Sequence, residues 1–165
     1  MPTNSQFWNQ ASLEPKRQFR WLLYVAGMPQ FIVKSVKKPS FTVASTPHTF
    51  LNYDFHYPGK VTWEDINFTI VDPVQPDSAA SLVKILENAG YVYPDKYTSQ
   101  PNHPRTISKK GMVDSLGGQI QLVMFGANSG EQEEEVLEKW SISNPLITNV
   151  DFGELSYGTE DLVQI

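Results

Sequence analysis

The sequence predicts a mainly β protein, a sandwich or partly closed barrel of antiparallel strands with one α-helix packed against it. Three observations carry this expectation. Short runs of aromatic and β-branched residues recur along the chain, each bounded by proline or glycine. One of them, Val61 to Val71, alternates with the two-residue period of a strand. Only the stretch from Asp77 to Gly90 places apolar residues at three- and four-residue spacing.

Residues 1–18 are largely polar apart from Phe7 and Trp8 and lack any period, so an extended arm is expected, with a frayed terminus as the competing expectation. A single domain spans 19–165. Phe19 to Ala26 (FRWLLYVA) has the apolar and aromatic content of a buried strand. Gly27-Met28-Pro29 breaks it, and Gln30 to Lys37 resumes as a second strand, giving an expected hairpin. Phe41-Thr42-Val43-Ala44 opens another extended segment, and Pro47 marks its middle as a loop or an edge. Tyr57-Pro58-Gly59-Lys60 predicts a type II turn, proline presetting φ and glycine accepting a positive φ after it. In the strand that follows, Ile66, Phe68 and Ile70 point one way while Asp65, Asn67 and Thr69 point the other.

The helix is expected at about 77–90, with Asp77 as N-cap and Gly90 as the left-handed stop. Its apolar face is Ala79, Leu82, Ile85, Leu86 and Ala89. Tyr91 to Ser115 reads as a long polar connection carrying Lys96, Arg105, Lys109 and Lys110. Gln119 to Ala127 is a further strand, with Ile120, Leu122 and Met124 on one face and Gln119 and Gln121 on the other. Asn128-Ser129-Gly130 turns it, and the acidic run to Glu138 leads into Trp140–Ser143, which Asn144-Pro145 stops. Thr148–Leu155 and Leu162–Ile165 bring the expected count to roughly seven or eight strands.

Composition bounds the function. With 165 residues, 40% hydrophobic and 12% aromatic, the chain can bury one real core. No run of about 18 apolar residues offers a membrane span, and the first residues lack the basic and apolar regions of a signal peptide. The absence of cysteine excludes disulfides and thiolate metal sites, so a reducing cytoplasm is the simplest place for folding. A net charge of −5 disfavours tight binding to phosphate backbones, yet lets nucleic acid slide past without capture.

Nothing in the sequence forms a catalytic constellation. His48, His56 and His103 are scattered, with no ligand spacing between them. Glu64-Asp65 are strand neighbours facing opposite sides, and Glu133-Glu134-Glu135 beside a turn is a solvated run. Gly117-Gly118 and Gly126 precede no helix, so no phosphate-cradling loop is expected. The expectation is a protein without catalytic, cofactor-binding or metal residues, which is not an enzyme.

The order of features resembles a known family. FRWLLYVAG is followed by Phe31–Pro39, then by Pro58-Gly59-Lys60 entering Val61–Thr69, then by Val71-Asp72-Pro73 before the helix. Trp140, Asn144-Pro145-Leu146-Ile147 and Phe152–Gly158 complete the pattern. Over 19–165 this is similar to the tail tube proteins of contractile-tailed bacteriophages, whose fold is shared by the tubes of type VI secretion and contractile injection systems. The resemblance implies hexameric rings in which each subunit contributes strands to one large inter-subunit barrel. Rings stack into a hollow conduit within a contractile sheath. Its partners are then further copies of the chain, the sheath protein, the tape-measure protein and the baseplate tube proteins, with DNA passing through unbound. The protein would be assembled in the bacterial cytoplasm, reside in the virion and pierce the host envelope during genome ejection, without a cofactor.

Two departures, the longer arm before Phe19 and the short last strand at Leu162–Ile165, point to an initiator or terminator of the tube at the baseplate or neck as one alternative; the tube of a type VI or contractile injection system is another. A reading from another class is a carbohydrate-binding sandwich using the many aromatics as a sugar platform, although Trp63 and Trp140 lie in strand patterns and look like core. For the tube reading, the Thr49–Lys60 hairpin is expected to reach a neighbouring subunit or ring through Phe50, Tyr53, Phe55 and Tyr57, with Gly59 at its turn. These aromatics are too many for a solvated loop tip, and the competing expectation is that they pack on their own sheet. Asp65, Asn67, Thr69, Gln119 and Gln121 suit a water-filled lumen. The acidic turn Asn128–Glu135 is expected to face the sheath or the lumen.

Overall fold

A computed structural model describes residues 16–94, 106–126 and 136–165. Most of the expected arm and the acidic turn, with Lys96, His103 and Arg105, therefore lie outside the described residues. The protein is mainly β, with antiparallel pairing throughout its three small sheets.

The largest sheet has the order β1-β6-β7. Strand β1 (Trp21–Tyr24) and strand β7 (Val136–Ser143) flank β6 (Gln119–Phe125). Leu23 lies opposite Leu122, and Leu122 in turn opposite Trp140. As the central strand, β6 is covered on both faces, so Leu122, Val123 and Met124 are all buried. The expected polar face persists only at its start, where Gln119 is exposed and Gln121 half-buried.

The second sheet joins β2 (Val33–Val36) to β5 (Phe68–Ile70). The first two strands thus do not form the expected hairpin. Gly27, at φ 78, and a 3-10 turn at Gln30–Ile32 carry the chain from one sheet to the other and bury Ile32 between them. The expected long strand Val61–Val71 is also divided. Glu64 N–H bonds the Ser40 carbonyl at 2.9 Å and Lys37 N–H the Asn67 carbonyl at 2.8 Å. The intervening Asp65–Asn67 moves the backbone from one strand partner to another. At the far end, Ile70 and Ile165 exchange two backbone hydrogen bonds of 2.9 Å. Gln164 forms an isolated bridge to Val71, whereas Thr148–Leu155 is not a strand.

Helix α1 (Ser78–Asn88) forms as the sequence predicts. Asp77 accepts from Ala80 N–H at 2.8 Å, and Gly90 adopts φ 111 just beyond the end. Leu82, Ile85 and Ala89 are buried on the expected face. A second helix, α2 (Lys109–Ser115), corrects the expectation of one helix and a plain connection. Ser108 caps it by accepting from Gly111 N–H, and Met112 and Leu116, four residues apart, enter the core. The glycine inside this short helix and the two lysines at its start hide its period.

The core lies between these two helices and the first two sheets, and includes Leu23, Ile32, Ile70, Ile85, Leu116 and Leu122. Among the described residues no sheet closes into a barrel. The third sheet, β3 (Phe41–Phe50) with β4 (Tyr53–Trp63), is a two-stranded ribbon in which every residue is exposed.

Candidate assembly surface

Opposed residues of the β3–β4 ribbon share a face, and their contacts make the pairing visible. At the base, Phe41 and Trp63 meet edge to face, ring centroids 5.3 Å apart. At the tip, Thr49 Oγ1 donates to Asp54 Oδ1 at 2.6 Å, while Ser45 Oγ and His56 Nδ1 stand 3.3 Å apart. Phe50 and Tyr53 close the ladder, and Leu51-Asn52 makes the turn. Leu51 has φ 55, a conformation that costs a residue with a Cβ about 1–2 kcal/mol. Its side chain is nonetheless held out in solvent, 79% exposed.

Pro58-Gly59-Lys60 is not a turn. It lies inside β4 at a break in register: between the pairs Val43–Val61 and Ser45–Pro58, β4 advances one residue more than β3. This is a β-bulge, where an unpaired proline nitrogen is tolerated and where glycine admits close approach. Because side chains alternate, one extra residue reverses which side of the ribbon each parity of β4 faces. Phe41, Val43, Val61 and Trp63 therefore occupy one face at the base. Phe50, Tyr53, Phe55 and Tyr57 occupy the opposite face at the tip, behind which lie Ser45, His56, Thr49 and Asp54.

The four aromatics selected from the sequence are thus brought together on one open face, 61%, 70%, 50% and 58% exposed in chain order. Among the described residues, no second layer of the chain packs on them. Gly59 sits at the bulge, away from the tip. The base patch escaped sequence reasoning because Trp63 was expected in the core, whereas it is 59% exposed. The available signal was the two-residue spacing Phe41/Val43 set against Val61/Trp63. Trp140, in contrast, is half-buried and packs against the core.

The lumen candidates fall on two different sheets. Asp65 and Asn67 are exposed in the link before β5, and Asp65 Oδ2 accepts from Thr148 Oγ1 at 3.3 Å. Thr69 is half-buried opposite Ser35, while Gln119 and Gln121 face Ser143 and Ser141 across β6–β7. Asp65, Asn67 and Thr69 line a cavity of about 570 Å³ between the two sheets, whose other walls include Leu23, Leu122 and Ile147.

Glu138 is the strongest electrostatic feature. Lys16, Lys38 and the Trp140 indole N–H all donate to its carboxylate, Lys38 at 2.6 Å. These bonds, that of Lys16 first, hold its pKa at about 2. Such a carboxylate ties the segment before β1 and the link after β2 to β7 and is locked in its charged form. Among the described residues no group of three or more histidine or acidic side chains converges as a metal site would require. In comparison with known proteins, no protein-family model matches this chain and no curated protein matches it.

Proposed function

We propose that this chain is a structural subunit of a contractile-type tail tube, built to assemble with copies of itself. The observation that carries the reading is the β3–β4 ribbon, exposed along its whole length and bearing an apolar patch on each face. A two-stranded ribbon is marginal in water by itself, and its two edges, which have no strand partner among the described residues, invite pairing with another chain. Closure into a ring satisfies such edges and covers such patches. In this reading hexameric rings stack within a sheath, the inter-subunit barrel forms only on assembly, and DNA and a tape-measure protein pass through a wall of net negative charge. A tube initiator at the baseplate would use the same surfaces.

Exposure of Trp63 and Phe41 favours a second reading, a carbohydrate-binding module. Their 61° interplanar angle weighs against it, since a sugar platform needs rings presented as one flat surface. Negative-stain electron microscopy of the concentrated protein at neutral pH tests the proposal. Rings or hollow tubes with six-fold end views are expected. A strict monomer, unchanged by a tube or baseplate seed and quenched at tryptophan by oligosaccharides, would favour the second reading.

A further inference from the structure

We propose that Glu138 is a shared anchor for which two segments compete, so that freeing Lys16 from it tightens the root of the ribbon through Lys38. The inference concerns the folded single chain and does not rest on the assembly reading.

The ribbon has little else to hold it. Strands β3 and β4 pack on each other, and neither makes extensive contact with another element among the described residues. Their direction is set where the ribbon leaves the body, at residues 37–40 and 64–67. There Lys37 N–H bonds the Asn67 carbonyl and Glu64 N–H the Ser40 carbonyl, while Lys38 reaches across to Glu138 on β7. The ten residues of β3 span about 33 Å, so a swing of about 10° at the root displaces the tip by roughly 6 Å.

The charges decide the sign of the coupling. Lys16 donates to Oε2 of Glu138, and Lys38 and the Trp140 indole N–H both donate to Oε1. Trp140 packs against the core, so the carboxylate stands on a fixed base while both lysines arrive on segments without regular structure. Its neighbours in line across the sheet, Met124 and then Trp21, carry no charge. Two ammonium groups thus face one carboxylate, which leaves the cluster net positive. Each lysine is drawn to Glu138 and repelled by the other. Removing Lys16 therefore strengthens the hold on Lys38, and the reverse holds equally, because a coupling free energy is shared by both sites. In a purely mechanical network the sign is opposite, and loss of one strut loosens the other. Since the Glu138 carboxyl titrates at about 2, the anchor stays charged in neutral and mildly acidic solution. Salt rather than acid weakens it. An anionic partner that took Lys16 would thus stiffen the ribbon without touching it.

The test follows amide hydrogen exchange by nuclear magnetic resonance in the full chain. The Lys37 and Glu64 N–H groups, whose bonds close the ribbon's root, are the reporters. Both are remote from position 16 in sequence, so their intrinsic exchange rates are unaffected. Lys16→Met should slow their exchange about two- to fivefold at low salt, the range of a partly exposed ion pair. Lys16→Arg keeps the charge and should leave them near the wild-type rate. The slowing should vanish in about 1 M salt, where charges are screened within ~3 Å, and in a Glu138→Gln background. Core amides at Leu23 and Leu122 should not change, which separates the local effect from a shift in global stability. Reporter rates that rise or stay constant in Lys16→Met overturn the inference. So does slowing that extends equally to the core amides, appears equally in Lys16→Arg, or persists in Glu138→Gln.

Discussion

Gly59 lies so close to Ala44 that a Cβ added to it would come within 3.1 Å of the Ala44 carbonyl oxygen and 3.2 Å of its Cβ. A side chain here would oblige the Ala44 segment to give by a few tenths of an ångström, so the bulge favours a bare backbone at this point. Gly59→Val should force the strands apart and destabilise the ribbon by about 1–3 kcal/mol, the ordinary cost of overpacking. The core, built from other elements, should hold. Hydrogen exchange would show faster exchange at β3 and β4 amides with β1 and β6 unchanged. Equal acceleration throughout would show that ribbon and core unfold together.

Leu51 offers a substitution that should gain stability and lose function. Asn tolerates a positive φ, so Leu51→Asn should steady the ribbon by about 1 kcal/mol. Removal of the tip's apolar side chain should at the same time raise the protein concentration at which assembly begins. Hydrogen exchange and light scattering report the two effects separately.

Glu138 fixes a pH dependence. Its carboxyl titrates at about 2 in the folded protein against an ordinary value of 4.5. A lowered folded value means stabilisation that is complete above pH 4.5 and lost as the pH falls towards 2. Glu138→Gln should therefore be less stable than wild type at neutral pH, and the gap should close across this window. Chemical denaturation of both proteins at several pH values measures it.

Helix α1 and the core allow a direct comparison of magnitudes. Asp77→Ala removes the cap on Ala80 N–H and should cost about 1 kcal/mol, lowering Tm by about 2–4 °C. Leu122→Ala empties a wholly buried site and should cost about 2–5 kcal/mol. Calorimetry should rank them in that order.

The parts of the fold legible in the sequence were those governed by neighbours in the chain. Asp77, Gly90 and the period between them specify α1 by local capping and spacing. Asn144, at φ 53, ends β7 where Asn-Pro predicts a stop. The aromatic tip could be selected because four rings in eight residues exceed what a solvated turn needs. Pairing was less legible. The first two runs look like a hairpin, but burial of Ile32 between sheets outweighs the short connection. Pro58-Gly59 suits a turn and a bulge equally, since both exploit a missing N–H and a missing Cβ. Which occurs depends on the partner strand, and the identity of that strand is not local information. Trp63 was misplaced for the same reason: alternation reveals a face but not whether anything covers it.

The bulge also bears on how the free chain survives before it meets its neighbours. A ribbon with one unbroken apolar stripe and two open edges is the form that stacks indiscriminately into insoluble sheets. By interrupting the stripe midway and backing each half with hydroxyls and charges, a single extra residue acts as a firebreak. On the assembly reading, newly made chains should then accumulate without nucleating the wrong aggregate. Deleting that residue should rejoin the two patches of β4 on one face and lower the concentration at which the chain aggregates.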